Sequence, residues 1–214
     1  MILKNFVNFW IQKGVIINHP ESVYIGEGVE ISKGTIINPF SCLTGDTRIQ
    51  QECEIGPGSD IQNSNIGQKT KVLRSTISNS KIMSNCKIGP YSHIRDKVEI
   101  GQNCRIGNYV EIKKSVIKNN VKISHLAYIG DAEIFENVNI GAGTITCNFD
   151  GKNKNKTTIK SNSFIGSNVS LVAPVCINEN VTIAAGSVIT KDVPRDSLGV
   201  SRVQQKIIQN WKNK

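Results

Sequence analysis

The sequence predicts an all-β solenoid, a chain wound into stacked triangular coils of short parallel strands. Two features carry that prediction: an aliphatic ladder of period six, and turn-forming residues recurring between its rungs. The ladder opens with Ile25, Ile31, Ile37, Leu43, Ile49, Ile55 and Ile61, each six residues after the last. An amphipathic helix repeats its apolar positions at three and four residues and a half-buried strand at two, so a sustained period of six belongs to neither. It is the period of a hexapeptide β-solenoid.

In chain order, residues 2 to 13 come first, with Ile2, Phe6, Phe9 and Trp10 at roughly helical spacing and Gly14 behind them. They are expected to form a short amphipathic helix covering the open end of the solenoid. Two later ladders follow the first: Ile88, Ile94, Ile100, Ile106 and Ile112, then Ile159, Ile165, Leu171, Ile177, Ile183 and Ile189. Between them some steps shorten to five residues, as from Ile61 to Ile66, Val72 to Ile77, Ile77 to Ile82, Ile112 to Ile117 and Ile129 to Ile134. Three hexads make one coil of roughly eighteen residues, so residues 23 to 190 supply about nine coils around a long, narrow core. Gly26, Gly28, Gly34, Gly56, Gly58, Gly89, Gly101 and Gly107, with Asn103, Asn108 and Asn119, fall where corners turn. Both residue types tolerate the positive φ of a tight turn. The expected organisation is an N-terminal arm over 1–18, one solenoid over 19–194 and a tail over 195–214. The period does not set the direction of winding, and ordinary parallel crossovers are right-handed.

Composition narrows the function classes. The chain carries 26 Lys and Arg against 17 Asp and Glu, a net charge of +9. Much of it is local, with Lys152, Lys154, Lys156 and Lys160 in one segment and Arg202, Lys206, Lys212 and Lys214 in the tail. Such positive potential suits an anionic ligand. No nucleic-acid motif and little aromatic interleaving accompany the lysines, so nucleic acid is not the expected partner. Six cysteines, at 42, 53, 86, 104, 147 and 176, lack metal-ligand spacing and read as free thiols near the core of a cytoplasmic protein. Lys4 interrupts the apolar start and no small-residue cleavage site follows, so no signal peptide is expected. No stretch is long enough to span a membrane.

The ladder breaks once. After Ile140 and Ile145 the next ladder residue is Ile159, and the polar, lysine-rich run 146–158 between them cannot lie inside a coil. An insertion of that kind on a regular scaffold is where a binding function is usually carried, although a disordered surface loop has a similar charge. Of three histidines, His19 precedes Pro20 before the first coil, His93 flanks the ladder residue Ile94, and His125 lies in Ile123-Ser124-His125-Leu126-Ala127-Tyr128. They are not grouped as a metal site requires, so no catalytic metal is expected.

The most specific segments are His125-Leu126-Ala127-Tyr128-Ile129-Gly130-Asp131-Ala132-Glu133-Ile134 and Asn137-Val138-Asn139-Ile140-Gly141-Ala142-Gly143-Thr144-Ile145-Thr146-Cys147-Asn148-Phe149-Asp150-Gly151. With Ile94-Arg95, Asn108-Tyr109-Val110-Glu111-Ile112-Lys113-Lys114, Ile165-Gly166-Ser167 and Ser201-Arg202, they closely resemble the acetyltransferase half of the bifunctional bacterial enzyme that makes UDP-N-acetylglucosamine. The resemblance implies a left-handed parallel β-helix assembled as a homotrimer, with active sites between subunits. It also implies acetyl transfer from acetyl-CoA to the amine of glucosamine 1-phosphate, a step towards cell-wall precursors. The nucleotidyltransferase half, with its Gly-rich, Arg-containing motif, has no counterpart here, which leaves room for a separate uridyltransferase.

The same resemblance assigns roles. His125 aligns with the family's general base. Arg95, Lys113 and Lys154 align with groups that meet the sugar phosphate, Tyr128 and Asn139 with groups that hold the sugar. Ala142, Asn148, Phe149, Ser167, Ala185 and Arg202 align with the acetyl-CoA contacts, Ser167 beside the departing thiolate. The side chain of Asn148 and the backbone near Ala142 are candidate donors to the thioester oxygen. Three positions depart from the family pattern: Asp96-Lys97 stands where Pro-Gly is common, Phe135 where Gly is usual and Phe149 where Tyr is usual. Two rival readings keep the fold: a transferase for another amino sugar or amine, and a non-catalytic trimeric scaffold.

Overall fold

The computed structural model describes residues 5–209 and 211. Three parallel sheets of 11, 10 and 9 strands form the sides of a prism, and successive strands visit the three sheets in turn. Sheet I runs from Ile16–Ile17 to Leu198–Gly199, sheet II from Tyr24–Ile25 to Val188–Ile189, and sheet III from Glu30–Ile31 to Val175–Ile177. This is a β-solenoid of about ten turns, consistent with the left-handed parallel β-helix expected. The first strand lies within the segment expected as an arm, and the last within that expected as a tail. The helix spans Val7–Gln12 and packs Val7, Phe6 and Trp10 against the core. Residues 2–4 of the predicted helix, and Lys212 and Lys214 of the basic tail, lie outside the described residues.

The ladder is the core. Ile25, Leu43, Ile61, Ile77, Ile94, Ile112 and Ile129 pair in register from coil to coil in sheet II, and all are fully buried. Each buried aliphatic side chain contributes about 1.5–3 kcal/mol, so the prism gains stability by stacking rather than by width. Four of the five short steps fall at one corner, between sheets II and III, where a single left-handed residue such as Asn63, Asn79, Lys114 or Asp131 closes the turn.

A second stack escaped the sequence reading. Two positions before each ladder residue stands a small buried side chain, as in Ser41, Ser59, Ser75 and Ser92 along one edge. A corner has room only for such residues, and their hydroxyls satisfy the neighbouring coil, as where Ser92 Oγ donates to the Gly107 carbonyl at 2.7 Å. Cys53, Cys86 and Cys104 occupy this position at the corner entering sheet I, while Cys42 and Cys176 stand immediately before the ladder residues Leu43 and Ile177. All six cysteines are free thiols, and burial pushes Cys53 up to about 11.

Two expectations need correction. Ile145 is 44% exposed on the outer face of sheet II, and Thr146 takes the inward position in register with Leu171. Threonine fits there because its hydroxyl accepts the buried Gly130 N–H at 2.8 Å and donates to the Gly130 carbonyl at 3.1 Å, tying down the coil where the loop departs. Among the expected corner residues, Gly28, Gly34, Gly56, Gly58, Gly89 and Asn103 do take positive φ, but Gly26, Gly101, Gly107, Asn108 and Asn119 do not. The left-handed residues are instead the next ones along, Tyr109 and Asn120, after Asn108 and Asn119. Gly107 is needed for close approach: a Cβ there would lie 1.9 Å from the Ser124 carbonyl oxygen. Gly107→Ala is therefore expected to cost about 1–3 kcal/mol in urea unfolding, because backbone has to move.

Candidate active site

The functional candidates are distributed over one edge and two faces of the prism and over the loop that interrupts the ladder. Along the edge between sheets I and II, His125, Ala142, Ser167 and Ala185 each stand two residues after a ladder residue of sheet I. Those ladder residues, Ile123, Ile140, Ile165 and Ile183, pair in register. Four side chains scattered through 61 residues of sequence therefore form one column, with a rise of about 4.8 Å per coil and roughly 14 Å from end to end. Arg202 closes its upper end, donating from Nη1 to the Ala185 carbonyl at 2.7 Å. Ser167 and Ala185 are exposed and Ala142 half-buried, so the column is a shallow track of small side chains.

His125 heads the track and is exposed. Its Nδ1 lies 2.6 Å from Oδ1 of Asn108, the residue in register one coil below. An amide oxygen can only accept, so Nδ1 carries the proton in the neutral ring and Nε2 is left as a free base. Asn108 thus sets the tautomer of His125, a role the sequence reading did not assign it. Its place 17 residues before His125, one coil of the local repeat, was the available signal.

The outer face of sheet II carries a second group. Arg95 and Lys113 are register partners, Lys113 pairs with Gly130, and Tyr128 stands on the same strand as Gly130. Gly130 lies beneath a phenol: a Cβ there would be 2.5 Å from Tyr128 Oη and 2.8 Å from Asn148 Nδ2. The glycine therefore leaves room for the Tyr128 phenol and the Asn148 amide over the strand. Arg95 is held by carboxylates, donating from Nε and Nη2 to Glu111 at 3.0 and 2.6 Å and from Nη1 to Asp96 at 2.9 Å. The hydrogen bond with Glu111 is the main reason its guanidinium is held above its ordinary range.

The interruption of the ladder replaces one corner between sheets II and III, and it is ordered. Phe149 and Lys154 form an antiparallel bridge, and Asp150 closes the turn by accepting from the N–H groups of Lys152 and Asn153 at 2.8 and 2.7 Å. These bonds, first the one from Asn153, hold the Asp150 carboxyl at about 2. The Lys154 ammonium sits 4.1 Å from the centre of the Phe149 ring, a cation–π contact that Phe serves as Tyr would. Asn148 is not ejected with the loop: it is 5% exposed and its Nδ2 donates to Asp131. A carboxylate only accepts, so one of the two N–H groups of the Asn148 amide is taken by Asp131, another residue the sequence reading left without a function. Beside the loop opens a cavity of about 570 Å³ whose lining includes Asp96, Lys97, Lys114, Asp131, Lys154 and Lys156.

Asn139 lies elsewhere, on the face of sheet I between Lys122 and Phe164. The faces of sheets I and II diverge from the His125 edge of a convex prism. One chain therefore does not close Asn139 and the Arg95–Lys113–Tyr128 group around one small molecule. His19, expected before the first coil, lies instead between the first strands of sheets I and II, where it pairs with Glu21 at 3.0 Å, and His93 is exposed on sheet II.

Comparison with known proteins places this geometry. Residues 79–114 and 156–191 match the model described as bacterial transferase hexapeptide (six repeats). Two stretches of the chain thus carry the hexapeptide repeat of bacterial transferases. It is 48% identical over all of its length to the bifunctional protein GlmU of Clostridium beijerinckii, covering 47% of that protein. It is 51% identical over 94% of its length to the GlmU of Fervidobacterium nodosum, covering 44%, and 48% identical over 95% to that of Acaryochloris marina, covering 45%. The chain thus spans slightly less than half the length of these curated relatives. Among solved structures it is similar to a UDP-N-acetylglucosamine acyltransferase from Bacteroides fragilis, with 19% identity, a TM-score of 0.46, and coverage of 83% of this chain and 69% of that one. Among the described residues, no helix is long and apolar enough to cross a membrane.

Proposed function

We propose that the chain transfers the acetyl group of acetyl-CoA to the amine of glucosamine 1-phosphate, at sites completed by neighbouring subunits of a homotrimer. The observation that carries this reading is the column headed by His125, a base with a free Nε2 at the foot of a smooth track. The close relatives named GlmU and the resemblance of the His125–Gly151 segment support the same acceptor.

In this mechanism the pantetheine arm lies along Ala142, Ser167 and Ala185, where side chains are too small to obstruct it, and Arg202 meets the cofactor's phosphates. The attacking amine gives its proton to His125 Nε2 as the C–N bond forms at the thioester carbonyl. Collapse breaks the C–S bond, and the proton on His125 is available to the thiolate, with the Ser167 hydroxyl beside it. Backbone N–H groups near Ala142 serve the developing oxyanion. Arg95 and Lys113, joined by Lys154, take the sugar phosphate through charge and donor geometry. Tyr128 and Asn139 hold the sugar from two faces, which is why a second subunit is needed.

The test follows free thiol release from acetyl-CoA with glucosamine 1-phosphate, and in parallel with glucosamine and other amines. Release specific to the sugar phosphate is expected. Equal rates with unphosphorylated amines would replace the acceptor, and no release above background would remove the activity. Lys154→Ala should raise the KM of the sugar phosphate several-fold and leave that of acetyl-CoA unchanged; the reverse pattern would reject its phosphate role.

A further inference from the structure

We propose that Asp96 is an internal competitor for the substrate's phosphate: its carboxylate occupies the part of the Arg95 guanidinium that an incoming phosphate would take, and so sets how tightly sugar phosphates are held and how readily they leave. The proposal rests on the reading of Arg95 as a phosphate-binding group.

The occupancy of Arg95 is the first observation. Each of its three guanidinium nitrogens already donates to a carboxylate, Nε and Nη2 to Glu111 and Nη1 to Asp96. Glu111 holds one fork of the guanidinium and so aims the group. The Asp96 contact is at the other end, where a phosphate oxygen would bind. Asp96 leaves 41% of its side chain exposed and Arg95 29%, so the pair is accessible and a dianionic ligand can displace the monoanionic carboxylate.

The backbone is the second. From Ile94 to Ile100 this corner has six residues, whereas the same corner in the flanking coils, Ile77 to Ile82 and Ile112 to Ile117, is made with five. The flanking corners turn on one left-handed residue each, Asn79 and Lys114, but here Asp96 and Lys97 are both left-handed, at φ 61° and 66°. Successive left-handed residues other than glycine are disfavoured, and the flanking coils close without them. Six-residue steps at the same corner, Ile25 to Ile31 and Leu43 to Ile49, also close with one left-handed residue, Gly28 and Gly45, so the second one here is not required for winding, and the turn sets a carboxylate against Arg95. Asp96 also lines the same cavity as Lys97, Lys114, Lys154 and Lys156, which offer the displaced carboxylate other cations.

The experiment compares the parent with Asp96→Asn, Asp96→Gly and Arg95→Ala. Asparagine and glycine both tolerate left-handed φ, so two independent variants test the loss of charge with the turn preserved. Calorimetry with glucosamine 1-phosphate should give a Kd about 3- to 5-fold lower for Asp96→Asn and Asp96→Gly, the range of a partly exposed ion pair. The KM of the sugar phosphate and the inhibition constant of inorganic phosphate should fall by the same factor, with the KM of acetyl-CoA unchanged. Unchanged or weaker binding in both variants, with binding lost in Arg95→Ala, overturns the proposal and leaves the phosphate role of Arg95 standing. Binding unaltered in Arg95→Ala overturns both.

Discussion

His125→Ala is expected to lower kcat for acetyl transfer by about 10²- to 10⁴-fold, the usual contribution of a positioned general base. Acetyl-CoA binding should persist, because Ala142, Ser167, Ala185 and Arg202 are untouched. The effect belongs to Nε2, so His125→Gln, which can still reach Asn108 but offers no comparable base, should be as poor as alanine. Asn108 acts through the ring and should show a smaller loss on replacement by leucine, confined to kcat. A His125→Gln enzyme within a few-fold of the parent would mean that the amine is deprotonated elsewhere.

The second large effect is expected from mixing two damaged proteins. Asn139 lies on sheet I and Arg95 on sheet II, faces that diverge from a convex edge, so the site is expected to draw them from different subunits. Arg95→Ala and Asn139→Ala should each be strongly impaired at low sugar phosphate concentration. Unfolded together and refolded as mixed trimers, they should regain about a quarter of the parent activity, because a random interface has that chance of pairing the intact face of each. If both residues served one site from one chain, every site would lack one of them and mixing would restore nothing. Thiol release by the mixture at low substrate distinguishes these outcomes.

Much of the fold was legible in the sequence because a solenoid repeats one local rule. Every coil buries the same ladder position, so Ile25 and Ile183 announce themselves by spacing alone. The reading failed where one residue type does another's work. Ile145 looked like a rung by its apolar side chain, but the rung is Thr146, whose hydroxyl satisfies Gly130 at the coil from which the loop departs. Gly107 looked like a turn residue, but it is a place where two strands come too close for a Cβ.

The candidate site divides the same way. The resemblance supplied His125, Lys113, Ser167 and their partners as separate positions. It assigned no role to Asn108, Gly130 or Asp131, whose contributions are a tautomer, a cradle and an amide orientation. Those are relations between side chains on adjacent coils, and no single segment displays them. Asp96 was visible only as a departure from a family pattern until its carboxylate was found on Arg95.

Residue spacing establishes that the chain winds with a period of six and where the winding is interrupted, and residue identity establishes which chemical groups are present. Which of those groups meet follows from the stacking of the coils. Register stacks His125, Ala142, Ser167 and Ala185 into a column although they are spread over four coils, while the convexity of the prism separates Asn139 from Tyr128 although they are eleven residues apart. Periodicity is a local property and is written residue by residue, whereas the distance between two side chains depends on which corner of the coil each occupies and on which way that corner faces.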